Sequence, residues 1–159
     1  MTVTPCAASV RSEQRGPMHA MISETLVDYP FRIEESLRYC DTDRQGHVNN
    51  SVYSVFFEAG RVHLLRAPNA PAPTEGGEYV LARIAIDFRR ELFWPGAVTV
   101  GTGLVRLGRS SFTLAQAVFH EGALAASAES VLVLTDPGTR RSTPLPDAVR
   151  AGLERFRLG

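Results

Sequence analysis

The densest group of chemically able side chains in this sequence is the run Tyr39-Cys40-Asp41-Thr42-Asp43-Arg44-Gln45-Gly46-His47-Val48-Asn49-Asn50. Two carboxylates, an imidazole and two side-chain amides stand just ahead of an apolar stretch that reads as a helix. A carboxylate in such a loop can direct water at a carbonyl carbon, or attack it directly. The first N–H groups of a helix are unpaired and carry partial positive charge, so they can polarise that carbonyl and hold the oxyanion that forms. Asp43 is the candidate for the carboxylate role. His47 either orients Asp43 or the substrate, or is a histidine bonded to backbone. Asn49 and Asn50 are natural helix caps, and their amides would serve an oxyanion equally well.

Several elements must position this loop. Before it, Arg32 to Tyr39 reads as a strand with Ile33, Glu35, Leu37 and Tyr39 on one face. After it, Ser51 to Arg66 reads as a helix whose apolar residues (Val52, Tyr53, Val55, Phe56, Phe57, Val62, Leu64 and Leu65) fall on nearly all sides. That pattern belongs to a buried helix. The Pro- and Ala-rich stretch 67–73 ends it in a loop. Four long strand-like runs follow, Tyr79 to Arg89, Ala97 to Leu107, Ser111 to His120 and Ala123 to Thr135. Turn signals separate them: Trp94-Pro95-Gly96, Gly108-Arg109 and Glu121-Gly122, the last reading as a tight hairpin. Pro146 to Phe156 reads as a short terminal helix with Pro in its first turn. The sum is an α+β chain: an antiparallel five-stranded sheet wrapped around a long buried central helix.

Composition agrees with one soluble domain. The 159 residues are 44% hydrophobic and 21% charged, which excludes a disordered, collagen-like or coiled-coil chain. Basic and acidic residues balance at 17 each, so no net field favours nucleic acid. No stretch approaches the roughly 18 apolar residues of a membrane span, and no signal peptide is legible, so the expected compartment is the cytoplasm. Residues 1–29 read as a disordered tail and 30–159 as one domain. Cys6 and Cys40 do not amount to a disulfide framework, Cys40 reading as a small buried apolar residue, and His19, His63 and His120 are too scattered to propose a metal site.

The pattern Asp43, two residues, Gly46-His47-Val48-Asn49-Asn50, two residues, Tyr53, then Phe57-Glu58 and Arg61, resembles the hotdog-fold acyl-CoA thioesterases of the 4-hydroxybenzoyl-CoA thioesterase type. The resemblance runs from Arg32 to about Phe156. It takes in Leu107-Gly108-Arg109-Ser110-Ser111-Phe112 and the tail Thr139-Arg140-Arg141-Ser142-Thr143-Pro144-Leu145-Pro146. It implies a hotdog fold and hydrolysis of acyl-CoA thioesters to free acid and coenzyme A, with no metal and no cofactor. It implies Asp43 as the catalytic carboxylate and Asp41 as a structural partner at the strand end. Some relatives carry His where this chain has Asn50, which leaves the division of work among His47, Asn49 and Asn50 open. A sister group uses a carboxylate on the helix; here Glu58 is expected instead to pair with Arg61, three residues on.

The same resemblance places the coenzyme A surface on Arg109, Ser110 and Ser111, with Arg90 and further arginines such as Arg89 and Arg106. Guanidinium groups bind phosphate through paired donors, and serine hydroxyls and turn N–H groups add more. In relatives the matching turn often serves the adjacent subunit, so a homodimer or homotetramer is expected, paired through a sheet edge. Two other readings fit the same scaffold: a non-catalytic acyl-CoA binding module, and a dehydratase or hydratase acting on 3-hydroxyacyl thioesters. The second needs a His-Phe-Pro-Gly type loop that the chain lacks, and the intact Asp43-to-Asn50 run argues against the first.

Overall fold

Glu121 and Gly122 take positive φ values of 50° and 77°, the backbone that lets two residues reverse a strand without splaying its arms. The hairpin they close joins β4 (Ser111–His120) to β5 (Ala123–Thr135) and sits within a single sheet. With β1 (Phe31–Ser36), β2 (Glu78–Phe88) and β3 (Ala97–Leu107), these strands form one antiparallel sheet in the order β1-β3-β4-β5-β2. The structure is a computed structural model and describes residues 22–67 and 76–159. The loop expected at 67–73 therefore lies almost wholly outside the described residues.

Helix α1 (Asn50–Arg66) begins where the Asn49 side chain accepts the Ser51 N–H at 2.9 Å. It ends at Ala67, whose extended backbone (ψ 152°) is what a residue before proline adopts. Tyr53, Phe56 and Phe57 pack from α1 into a core with Val98, Val100, Val118, Ala126 and Ala128 of the sheet. Full burial of a side chain such as Phe57 contributes about 1.5–3 kcal/mol. Gly60 sets the closeness of the approach. A Cβ there would lie 2.8 Å from Thr102 Oγ1 and 3.0 Å from Gln116 Nε2. Gln116 Nε2 in turn donates to the Phe57 carbonyl at 2.8 Å.

The sheet covers only one side of α1. Val55 and Val62, counted in the sequence as part of an all-round apolar surface, are 50% and 38% exposed on the far side. Apolar residues on edge strand β2 are open as well, with Val80, Leu81 and Phe88 between 39% and 48% exposed. This is the α+β hotdog arrangement expected from the sequence, a five-stranded antiparallel sheet with the long helix against it.

A second core gathers Leu145, Val149 and Leu153, the last two from helix α2 (Asp147–Glu154), onto Leu104, Phe112, Leu114, Leu132 and Leu134. Past α2 the chain runs beside β3. Leu104 N–H donates to Phe156 and Leu158 N–H to Leu104, at 2.6 and 2.9 Å, so residues 156–158 continue the edge where β1 stops. The outer face of β3 holds two notches. Tyr29 lies over Gly101, where a Cβ would come within 2.6 Å of its ring, and Leu158 lies over Gly103 at 2.5 Å.

Two sequence expectations change here. The disordered tail was set at 1–29; residues 1–21 lie outside the described residues, but Leu26 and Tyr29 pack against Ala117 and Phe119, and Tyr29 is fully buried. A large aromatic ring over a glycine notch orders the segment ahead of β1. The first strand also stops at Ser36 rather than Tyr39, because the chain turns into a 3-10 turn at Tyr39–Asp41. Tyr39, expected on the strand's inner face, is consequently 74% exposed. No described helix is long and apolar enough to cross a membrane.

Candidate active site

The 3-10 turn and the start of α1 are two ends of one tied loop. Asp41 is the tie: its carboxylate accepts the Arg38 N–H at 2.8 Å and the Arg38 guanidinium through both oxygens. Its carbonyl accepts the Asn49 N–H at 2.8 Å. The hydrogen bonds from Arg38 hold this buried carboxyl below the usual carboxylate range. Turning Asp41 inward leaves Cys40 outward. The cysteine expected to be buried is exposed, a correction that follows from the chain leaving the sheet before residue 40.

Inside the loop, Thr42 and Val48 form an antiparallel bridge, and Asp43 N–H donates to the His47 carbonyl at 2.8 Å. Gly46, at φ 83°, supplies the left-handed backbone that closes the turn. Asp43 Oδ1 accepts the Gln45 N–H at 2.7 Å and the His47 N–H at 3.3 Å, the hydrogen-bonded turn that Asp makes with its own backbone. Oδ2 makes no hydrogen bond among the described residues. One carboxylate oxygen is thus fixed and the other is not, on a half-buried side chain.

His47 does not lie on the Asp43 carboxylate. Its Nδ1 is 3.6 Å from Glu91 Oε1, and its ring meets Phe93 edge-on with centroids 5.0 Å apart. Asn49 caps the helix, Oδ1 accepting both the Ser51 N–H and the Ser51 hydroxyl, so its Nδ2 remains the free donor end. Val52 N–H donates to the Asn49 carbonyl. Of the first helical donors, the Asn50 N–H has no partner among the described residues, and Asn50 itself is exposed. The helix start expected to offer several free N–H groups therefore offers fewer, because its own cap takes them. Beneath, the buried Tyr53 hydroxyl donates to the Arg90 carbonyl at 3.1 Å, and burial, with the Glu91 charge adding, pushes it up to about 12.

Arg90 stands near this group. With Glu91, Leu92, His120, Glu121, Ala123 and Ala125 it lines a cavity of about 260 Å³. Arg109, Ser110 and Ser111 do not. They occupy the β3–β4 turn, while the loop of Asp43 lies at the end of β3 that begins with Ala97. Ten residues of strand separate the two ends, about 30 Å. The turn is held by its carbonyls: Leu134 donates to Ser110, Leu145 to Arg109 and the Arg150 guanidinium to Gly108, at 2.7–2.9 Å. The Arg109 side chain remains exposed.

Glu58 is exposed, and the ion pair expected between it and Arg61 is not formed. Arg61 turns inward instead, 6% exposed, donating to Gln116 Oε1 at 3.2 Å and Ser130 Oγ at 3.1 Å. Burial lowers its proton affinity, and the Glu58 charge offsets part of that. Sequence reasoning missed Glu91. Its only local signal was a carboxylate directly after Arg89-Arg90, and the contact that makes it relevant joins residues 44 positions apart.

Comparison with known proteins places this arrangement in context. A family model described as the Thioesterase-like superfamily matches residues 37–153. A curated relative from Aquifex aeolicus (strain VF5), named "Putative esterase", is 30% identical over 118 residues, covering 72% of this chain and 92% of the relative. A thioesterase from Thermus thermophilus, solved with coenzyme A and Zn, is 32% identical with a TM-score of 0.73, over 81% of this chain and 95% of that one. The PA5185 protein of Pseudomonas aeruginosa PAO1 superposes with a TM-score of 0.77 at 24% identity, over 85% and 96% of the two chains, a likeness of fold.

Proposed function

Because this chain belongs to the thioesterase-like superfamily, we propose that it hydrolyses acyl-CoA thioesters to free acid and coenzyme A, with Asp43 as the reacting carboxylate. The observation that carries the reading is the division of labour within Asp43. Backbone N–H groups hold Oδ1, and Oδ2 is left unbonded at the entrance to α1. Held this way, the carboxylate takes a proton from water attacking the carbonyl carbon, or attacks that carbon itself. The Asn50 N–H and the Asn49 side-chain amide are the donors for the oxyanion, since Ser51 and Val52 are already capped. Coenzyme A as the thiol carrier draws support from the Thermus thermophilus relative, which was solved with it.

Arg90 is the nearer phosphate ligand, and Arg109, Ser110 and Ser111 are the farther ones. Because a strand's length separates that turn from Asp43 of the same chain, it serves the site of a second copy. The open edge of β2, along which Val80, Leu81 and Phe88 are exposed, is where two copies meet, giving a homodimer or a tetramer of dimers. A panel of acyl-CoA esters read by free-thiol release tests the activity and ranks the acyl groups. No release from any ester would refute it. Light scattering that found only the 17.4 kDa monomer would refute the shared site.

A further inference from the structure

Glu91 lies outside every motif the sequence singled out, yet the fold carries it to the loop that holds Asp43. Val48 N–H donates to the Leu92 carbonyl at 2.8 Å, and His47 and Phe93 form an antiparallel bridge, so residues 47–48 and 91–93 run side by side. The Glu91 carboxylate comes to ion-pair range of His47 Nδ1, 3.6 Å, with the Phe93 ring against the imidazole at 5.0 Å. A carboxylate at one nitrogen and an aromatic wall at the ring fix the imidazole's orientation, with Nδ1 turned to Glu91 and Nε2 left to a bound ligand. Pairs of this kind are commonly longer in an unliganded enzyme than in its substrate complex. Two carboxylates thus hold one histidine: Asp43 takes its backbone N–H, and Glu91 meets its ring.

We propose that Glu91 is a positioning residue for thioester cleavage: with both ring nitrogens protonated, His47 turns Nδ1–H to Glu91 and gives the Nε2 proton to the departing sulfur. This deepens the hydrolytic reading above and rests on it. Water loses a proton to Asp43 as its oxygen bonds the acyl carbon. The carbon–sulfur bond then breaks, and the sulfur takes the Nε2 proton, leaving acid and thiol. The proton on Asp43 returns to His47 through solvent. Glu91 acts through His47 and not on the reacting atoms.

A proton donor to sulfur matters in proportion to the basicity of the departing thiolate. Coenzyme A leaves as a basic alkyl thiolate, thiophenol as a weakly basic aryl one. Two esters of one acyl group, the CoA ester and the phenyl thioester, therefore report the donor directly. With the purified full chain, His47→Gln should lower kcat on the CoA ester about 10²-fold and Glu91→Gln about 10-fold. Both variants should cleave the phenyl thioester within about twofold of the native rate, and the double variant should be no slower than His47→Gln alone. Retained phenyl thioester cleavage also reports that the variants are folded. Equal losses on both esters, or no loss in Glu91→Gln, would overturn the role of Glu91 while leaving hydrolysis in place. If the native chain cleaves neither ester, the hydrolytic reading falls and this one with it; if Asp43→Asn matches it on both, the role given to Asp43 falls while hydrolysis stands.

Discussion

Asp43→Asn separates the chemistry of the side chain from its structural work. Asp43 Oδ1 accepts two backbone N–H groups, from Gln45 at 2.7 Å and His47 at 3.3 Å, and an asparagine carbonyl accepts the same two. The turn survives, with a stability change of about 0.5–1.5 kcal/mol as charged hydrogen bonds become neutral ones. What changes is the position of Oδ2, where an amide nitrogen now stands that can neither take a proton from water nor attack a carbonyl. Loss of a positioned base slows hydrolysis by about 10²–10⁴, or about 2.7–5.4 kcal/mol of barrier; loss of a nucleophile exceeds that. The two energies are well apart, so rate and stability are read on one sample, by thiol release from an acyl-CoA and by thermal melting. Asp43→Ala is the contrast: it orphans both N–H groups and should lose about 1–3 kcal/mol of stability as well. Glu58→Gln, on the exposed side of α1, should keep its activity. A folded Asp43→Asn working at the native rate beside an inactive Glu58→Gln would refute the assignment and move the chemistry to the helix carboxylate.

Arg109→Ala should raise KM for acyl-CoA more than it lowers kcat, because phosphate binding is common to ground and transition states; an unchanged KM would reduce that turn to a solvated one. Assayed at acyl-CoA well below the KM of Arg109→Ala, co-refolding Asp43→Asn with Arg109→Ala chains should give more activity than either variant alone, since mixed dimers regain one intact site. Gly60→Ala should destabilise by about 1–3 kcal/mol in a melt, the added methyl meeting Thr102 and Gln116 at 2.8–3.0 Å. Asp41 is held below its ordinary value in the fold, so its contribution is full above that value and lost as pH falls through the folded one. Asp41→Asn should therefore flatten the acid limb of a stability–pH curve, and an unchanged limb would show that Arg38 does not stabilise the ionised carboxylate.

Much of the fold was legible because its signals are local. The bounds of β3, β4 and β5 follow from β-rich runs broken by Gly108, by Glu121-Gly122 and by Asp136-Pro137, and α1 from an asparagine cap and a proline stop. The end of β1 was misjudged because apolar alternation continues to Tyr39 while a stronger local device, Asp41 bonded to Arg38, has already turned the chain. The same limit applies to the site. Asp43, His47, Asn49 and Asn50 stand at one junction of loop and helix, so their nearness is local in the sequence. Glu91 reaches that loop only through pairing of residues 47–48 with 92–93, and the Arg109 turn is distant because the whole length of β3 lies between them. Apolar residues around α1 marked it as buried, but composition does not say which side the sheet covers; Val55 and Val62 face away.

The two glycine notches on β3 have a topological consequence. Tyr29 fills the notch at Gly101 and Leu158 the notch at Gly103, positions two residues apart on one strand, about 7 Å. The segments that precede β1 and follow α2 thus run over neighbouring patches of the same face, so a linker put in place of residues 1–21 would join them. Reopening the chain at the exposed turn 137–139, at the end of β5 away from Asp43, would give a circular permutant that keeps every strand pairing and the whole loop from Asp41 to Asn49. The two glycine notches would then hold one covalent segment where they now hold two separate ones.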